Sequence, residues 1–163
     1  MDEETLFMIQ VTLKDGSIEE LDLEFEEDRD TLEEYDDGEI VEICSDLPLN
    51  GSGIDEDVDT LIEAAEKFFD IWSTEEQGAF LLLMEDKTPI EYALDTIRDR
   101  DYSYYPDDPL EDLGLEILET EQYEVFKLMQ ELNLLCYFDF EDFAEDALTD
   151  YSYLPGYGSY MFF

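Results

Sequence analysis

The chain has 163 residues, with 49 Asp and Glu, 7 Lys and Arg and no His, so its formal net charge is −42. The missing His excludes Ser-His-Asp and Cys-His catalysis and removes the commonest metal ligand, and the charge excludes direct binding to nucleic acid or to an anionic membrane. Apolar residues still make up 44% and aromatic residues 14%, which predicts a folded protein with an acidic surface rather than a disordered chain.

The first fifty residues predict a small β-rich module. Residues 5–13 form a strand candidate, and an Asp-Gly turn separates them from a second strand in which apolar and acidic residues alternate. A short helix over 28–35 and a third strand over 38–47 follow. The turn-rich segment 48–53 predicts a boundary. The predicted inward side chains of the second strand are Ile18, Leu21, Leu23 and Phe25.

Residues 54–100 have the three- and four-residue apolar spacing of helices. The first predicted helix runs to Trp72. Ser73 and Glu76 have the spacing of a capping box for the second. Thr88 is the predicted N-cap of a third helix, because Pro89 suits its first position and Glu91 follows three residues after the cap.

The last sixty residues predict a mixed module. The Pro and Asp content of 101–109 predicts a loop, and Asp108-Pro109 predicts a helix start. Thr120 is a predicted cap for the helix that follows, a further helix covers 140–148, and the end predicts a hairpin about residues 155–158. The predicted inward residues of these two helices are Tyr123, Phe126, Met129 and Leu132, and Phe140, Phe143, Ala144 and Ala147.

The predicted fold class is therefore α+β, as an elongated arrangement of three small modules that would spread the charge. Their predicted ranges are 1–53 (β-rich), 54–105 (helical) and 106–163 (α+β with a closing hairpin). Cys44 and Cys136 are predicted to be buried free thiols, since both lie in apolar surroundings. The start of the chain lacks the basic region of a signal peptide and no run is long enough for a membrane span, so a cytoplasmic protein is expected.

Two functions need only carboxylates as their chemical groups: calcium binding and glycoside hydrolysis. Residues 46–57 place Gly51 at the turn position of an EF-hand loop, but Pro48 occupies a ligand position and Asp57 stands where a bidentate Glu is expected. A glycosidase needs two carboxylates in a sugar cleft, which 49 acids satisfy without specificity. No enzyme, metal or cofactor is predicted, although loose binding of divalent cations stays compatible with the composition.

The distribution of the acids suggests a function of its own. Solubility of a small domain needs a net charge of magnitude roughly 2–8, and this chain exceeds that several-fold. At one negative charge per about 1.7 Å of duplex, the 42 net charges would match roughly 70 Å of DNA. Acids held on a rigid core are therefore predicted to stand in for DNA phosphates and to bind a basic groove. The predicted partner-binding acids are Glu63, Glu66, Asp70, Asp99, Asp101, Asp107, Asp108, Asp139, Glu141, Asp142, Glu145, Asp146 and Asp150.

Three stretches carry a family resemblance: the tail YFDFEDFAEDALTDYSYLPGYGSYMFF, the segment EIVEICSDLPL, and GSIEELDLEF followed by DTLEEY. In order and charge they resemble the ArdA antirestriction family. The resemblance implies three small domains in a curved, elongated dimer that imitates bent DNA and blocks type I restriction-modification enzymes. Its expected carriers are mobile elements and phages. The matching tail acids are Asp139, Glu141, Asp142, Glu145, Asp146 and Asp150.

Other functions stay open at this point. The same physics would suit an inhibitor of another DNA-binding defence enzyme, such as a CRISPR nuclease. An acidic chaperone or buffer for basic proteins is a second class, although such proteins usually rely on disordered acidic tails. An ordinary protein of a high-salt cell is a third.

Overall fold

The computed structural model describes residues 3–35 and 38–163. The fold is α+β, as the sequence predicts, and the chain forms two compact units, residues 1–101 and 102–163. The predicted boundary at 105 lies close to the boundary between the units. The predicted boundary at 53 lies within the first unit, and a separate module there stays a prediction. Across the described ranges, no helix combines the length and the apolar composition needed to cross a bilayer.

The first unit opens with an antiparallel sheet of order β2-β1-β3. The strands are β1 (Met8–Leu13), β2 (Ile18–Asp22) and β3 (Ile40–Ser45). The predicted Asp-Gly turn joins β1 to β2: Gly16 has φ +85°, and the Asp15 carboxylate accepts hydrogen bonds from the Ser17 amide at 2.8 Å and its hydroxyl at 2.5 Å. These bonds lower the pKa of the Asp15 carboxyl, so the turn is closed by an ionised acid.

The first unit also contains several helices. They are α1 (Glu3–Leu6), α2 (Glu26–Glu34), α3 (Ile54–Glu66), which continues as a π-helical segment (Lys67–Ile71), α4 (Thr74–Glu85) and α5 (Ile90–Asp99). The capping box predicted for Ser73 and Glu76 is present at the start of α4. Residues 78–84 of α4 are all buried, as expected for a helix that is apolar on every side.

An aromatic cluster joins the sheet end of this unit to its helices. Phe7, just before β1, lies with its ring centroid 5.3 Å from Phe68, 5.1 Å from Phe69 and 6.0 Å from Phe80. Trp72 lies 5.3 Å from Phe80. Such rings bury large areas and add pairwise attraction, so the cluster supplies much of the cohesion that a highly charged unit needs.

The second unit combines a three-stranded antiparallel sheet of order β4-β6-β5 with three helices. The strands are β4 (Tyr102–Pro106), β5 (Ser152–Leu154) and β6 (Gly158–Phe162), and β5 and β6 form the predicted closing hairpin. The helices are α6 (Leu110–Glu121), α7 (Tyr123–Glu131) and α8 (Phe140–Ala147), and a 3₁₀ turn (Leu135–Tyr137) precedes α8. Leu113, Ile117 and Leu118 of α6 are buried, as is Ala144 of α8.

Helices α6 and α8 approach each other at Gly114. A Cβ atom added there would lie 2.0 Å from the Phe140 carbonyl oxygen and 2.7 Å from its carbon. Real Cβ contacts are never this short, so only glycine allows the backbone of α8 to pack at this distance.

Several predictions about the first unit were wrong. Residues 5–6 belong to α1, so the first strand begins later than predicted. Leu21 and Leu23 are buried as predicted, but Ile18 and Phe25 are exposed. Ile18 is the first residue of β2, and Phe25 lies beyond that strand as the N-cap residue of α2. The third helix begins at Ile90 with Pro89 as its N-cap residue, one position after the predicted Thr88, because the ψ of 140° at Pro89 is not helical.

The second unit also corrects the sequence interpretation. Residues 102–106 form β4 rather than a loop, because their tyrosines pair with the closing hairpin. Thr120 donates a hydrogen bond to the Glu116 carbonyl within α6 instead of capping α7. Cys136 of this unit and Cys44 of the first unit are exposed, not buried as predicted. In the predicted inward sets of the two helices, Tyr123, Leu132 and Ala147 are exposed, whereas Phe126, Met129, Phe140 and Phe143 are half-buried and Ala144 is buried.

Replacing Gly114 by Ala should destabilise the protein. The added methyl group meets backbone atoms that cannot rotate away, so we expect a loss of at least about 1–3 kcal/mol in the free energy of unfolding, as for overpacked cores. Urea denaturation measures this loss. The matched control is Gly53→Ala, where the new Cβ meets nothing within 4 Å and the φ of 167° suits any residue. Equal stability of the two variants would contradict the close approach of α6 and α8.

Candidate partner-binding surface

All thirteen acids predicted to bind a partner are exposed. Five of them lie in the first unit, on α3, on the π-helical segment and at the end of α5. The other eight lie in the second unit, after β4, on α8 and before β5. Those of the first unit are Glu63, Glu66, Asp70, Asp99 and Asp101; those of the second are Asp107, Asp108, Asp139, Glu141, Asp142, Glu145, Asp146 and Asp150.

Basic side chains pair with three of the predicted acids in the first unit, Glu63, Asp99 and Asp70. Lys67 lies 2.8 Å from Glu63, and Arg98 lies 3.1 Å from Asp99. Neighbouring Asp95 also pairs with Arg98, at 2.9 Å, and these carboxylates raise the pKa of that guanidinium. Each ion pair reduces the negative charge that its carboxylate presents to a partner.

Asp70 has a different kind of partner. The buried Arg29 of α2 donates to its carboxylate at 2.7 Å, while Arg29 Nε is buried without a hydrogen-bond partner. A guanidinium removed from water needs such a carboxylate, and losing it would leave an uncompensated buried charge. Asp70 therefore compensates the buried charge of Arg29. Sequence reasoning missed this role because the two residues are 41 positions apart.

Helix α8 presents the densest set of predicted acids. The Asp139 carboxylate caps the helix by accepting from the Asp142 amide at 3.1 Å, and Glu141 and Asp142 lie in the first turn, where the helix dipole favours negative charge. Glu145 and Asp146 lie nearer the other end, where that dipole gives no such help. Residues 102–163 contain 15 Asp and Glu and one Lys or Arg, Lys127, so few neighbouring cations are present to offset these charges.

The fold adds an acid that the sequence did not single out. Glu111 of α6 lines an open cavity of about 340 Å³ together with Asp139 and Glu141. Tyr137 and Phe138 form part of the same lining. The packing of α6 against α8 brings these carboxylates together, and no spacing along the chain could have indicated it.

Tyrosine hydroxyls replace basic side chains as partners of several carboxylates. Tyr35 donates to Glu19, and Tyr105 donates to Glu121 at 2.5 Å. Burial, and then the hydrogen bond to the carboxylate, raises the pKa of Tyr35 to about 12 and raises the pKa of Tyr105 as well. A neutral hydroxyl binds a carboxylate without cancelling its charge, so these acids are fixed in place and stay negative.

The same arrangement orients Asp107. Its carboxylate accepts from the Tyr153 hydroxyl at 2.8 Å and from the Gly156 amide at 2.7 Å, and the first of these bonds raises the pKa of Tyr153. Both carboxylate oxygens therefore have fixed directions. Asp108 follows it in the chain, with its amide bonded to the Pro106 carbonyl at 2.9 Å.

Within 3–35 and 38–163, no three Cys, Asp or Glu side chains are grouped in a way that could hold a metal ion. Burial raises the pKa of Asp57, at the end of the EF-hand-like stretch. No family model, curated protein or solved structure matches this chain.

Stability should fall as the pH rises through the alkaline range. The folded chain holds the Tyr35 proton more tightly than the unfolded chain, whose tyrosine has the ordinary pKa of 10.0. The stabilisation is therefore complete below pH 10 and is lost as the pH rises toward about 12. Urea midpoints measured across this range should fall, and Tyr35→Phe should fall less steeply. Tyr92→Phe, at an exposed site on α5, is the control; an identical pH profile for Tyr35→Phe and the native chain would contradict the Tyr35–Glu19 bond.

Proposed function

We propose that this protein is a non-enzymatic inhibitor that occupies the DNA-binding groove of a type I restriction-modification enzyme, with its carboxylates in the places of DNA phosphates. The protein acts in the cytoplasm of the host cell that contains this restriction enzyme. The observation that carries the proposal is the exposure of all thirteen predicted acids on a folded scaffold, eight of them on helices and five in the segments that flank helices and strands. The resemblance of the tail to the ArdA family supports the choice of target.

The scaffold favours a phosphate mimic over an acidic chaperone. A disordered acidic tail loses conformational entropy when it binds, whereas acids on a folded helix lose little. Asp107 and Asp139 are already oriented by hydrogen bonds within the protein. Arg and Lys side chains of a DNA-binding groove would therefore meet fixed negative groups, as they do on a duplex. The same fixed carboxylates would suit an inhibitor of a CRISPR nuclease.

Helix α7 provides a surface for a second copy of the chain. Val125, Leu128 and Leu132 share one face of this helix, and between 46% and 57% of each residue is exposed. Residues 123–137 contain two acids and one base, Lys127, so this surface lacks the charge that would repel an identical molecule. A self-complementary apolar face is what a two-fold dimer requires. The proposed inhibitor is accordingly a homodimer joined through α7.

The four acids of α8 should contribute more to inhibition than four exposed acids elsewhere on the surface. A variant with Glu141, Asp142, Glu145 and Asp146 changed to their amides should compete less well with a DNA duplex for the enzyme, by about tenfold or more, and its binding should depend less on salt. Any one of these changes alone should have an effect of about twofold or less, because surface ion pairs are individually weak. Competition is measured by fluorescence anisotropy of a labelled duplex.

The control has the same net charge as the fourfold variant. It changes four exposed acids outside the predicted set, Glu24, Asp30, Glu34 and Glu42, to their amides. It should compete nearly as well as the native chain. Equal loss in the two variants would mean that bulk charge suffices, and a complete lack of competition by the native chain would refute the proposal.

Dimerisation should be sensitive to a charge on α7. Leu128→Glu places a carboxylate in the apolar face of both copies, so the variant should sediment as a monomer at concentrations where the native chain is a dimer. Stability should change little, because Leu128 is largely exposed within the chain. Ile18→Glu, at an exposed apolar position on β2, is the matched control and should stay dimeric. A Leu128→Glu variant that stays dimeric would exclude α7 as the interface.

A further inference from the structure

The second unit contains a cavity of about 330 Å³ that combines an apolar wall with two acids. Leu113 is buried, Leu110 and Leu148 are half-buried, and together they form much of the apolar lining. Asp107 and Asp108 are exposed and therefore lie at the open side of the cavity. A volume of this size is at the lower limit of cavities that hold a small ligand or a large side chain.

Two tyrosines also line the cavity, and hydrogen bonds hold both of them. The Tyr151 hydroxyl lies 2.9 Å from the Ser103 hydroxyl, and its ring centroid lies 5.7 Å from that of Tyr105. Tyr153 is fixed through Asp107. The cavity is therefore formed before any ligand enters, which limits the entropy lost on binding.

Charge and shape together indicate the ligand. The lining contains no basic side chain, so an anion would meet two carboxylates with nothing to offset them. An arginine side chain fits each part: its methylene groups can contact the leucines, and its guanidinium can stack on a tyrosine and donate two bonds to a carboxylate. Lysine has a compact, strongly hydrated charge that gains less from an aromatic surface.

We propose that this cavity receives an arginine side chain of the basic partner and is the principal specific contact of a surface that otherwise binds by distributed charge. The inference rests on the proposed function, because a DNA-binding groove is the expected source of that arginine. It assigns to Asp107 and Asp108 a role that distinguishes them from the acids of α8. A buried arginine in an aromatic setting is a common centre of binding energy at protein interfaces.

The experiment titrates N-acetyl-arginine amide into the full-length protein and follows side-chain and backbone NMR signals. N-acetyl-lysine amide has the same charge and serves as the control ligand. The arginine compound should shift the signals of Leu148, Tyr151 and Tyr153, and should bind about threefold or more tightly than the lysine compound. At high salt the shifts in the cavity should persist, while shifts elsewhere on the acidic surface disappear.

Two variants test the site itself. Asp108→Asn should weaken binding of the arginine compound about threefold, whereas Asp112→Asn, on the exposed first turn of α6, changes the net charge equally and should have no such effect. Leu148→Phe fills part of the cavity and should abolish the shifts of Tyr151 and Tyr153. If it unfolds the protein, the comparison of the two Asp variants still decides the result.

Each failure has its own signature. Equal binding of the two compounds, or shifts spread over the whole acidic surface, would overturn the arginine site even if the protein competes with DNA. Arginine binding in the cavity without any competition against DNA would leave the site intact and refute the proposed function.

Discussion

Repulsion among carboxylates is the constraint on which the rest of this structure depends. With 49 acids and 7 bases, the folded chain concentrates negative charge that the unfolded chain would disperse. Ion pairs offset little of it, since the pairs of Lys67 and Arg98 are at the surface. Apolar burial opposes the repulsion instead, through the buried residues 78–84 of α4 and the rings around Phe7. Tyrosine hydroxyls add hydrogen bonds to carboxylates without neutralising them.

This way of stabilising the fold links packing to the proposed function. A protein that needed only solubility would lose nothing by placing lysines among its acids, and many ion pairs would reduce the repulsion. Here the second unit has 15 acids and one base, and the acids of α8 are left to the solvent. The close packing of α6 against α8 at Gly114 fixes that helix in the unit. The same core therefore holds the acids in fixed positions and offsets the repulsion among them.

Local signals predicted local structure well. The β1–β2 hairpin, the Ser73–Glu76 capping box and the closing hairpin each depend on residues a few positions apart, and all three are confirmed. Features that depend on tertiary packing were missed. The Pro and Asp content of 101–109 concealed β4, whose strand conformation comes from pairing with β6. The apolar spacing of α7 predicts a core face, yet Tyr123 and Leu132 of that face are exposed and Phe126 and Met129 are only half-buried. The Arg29–Asp70 pair and the meeting of Glu111 with α8 join residues far apart in the chain.

The central claim is that a basic groove binds this protein as it binds DNA, and the salt dependence of binding tests it most directly. The dissociation constants of the enzyme for the protein and for a duplex should be measured over about 50–200 mM salt. If fixed carboxylates replace phosphates, both affinities should fall steeply with salt, by about 10³-fold or more for a contact of six or more charges. Binding of the protein that hardly changes over this range, while DNA binding falls, would contradict the account.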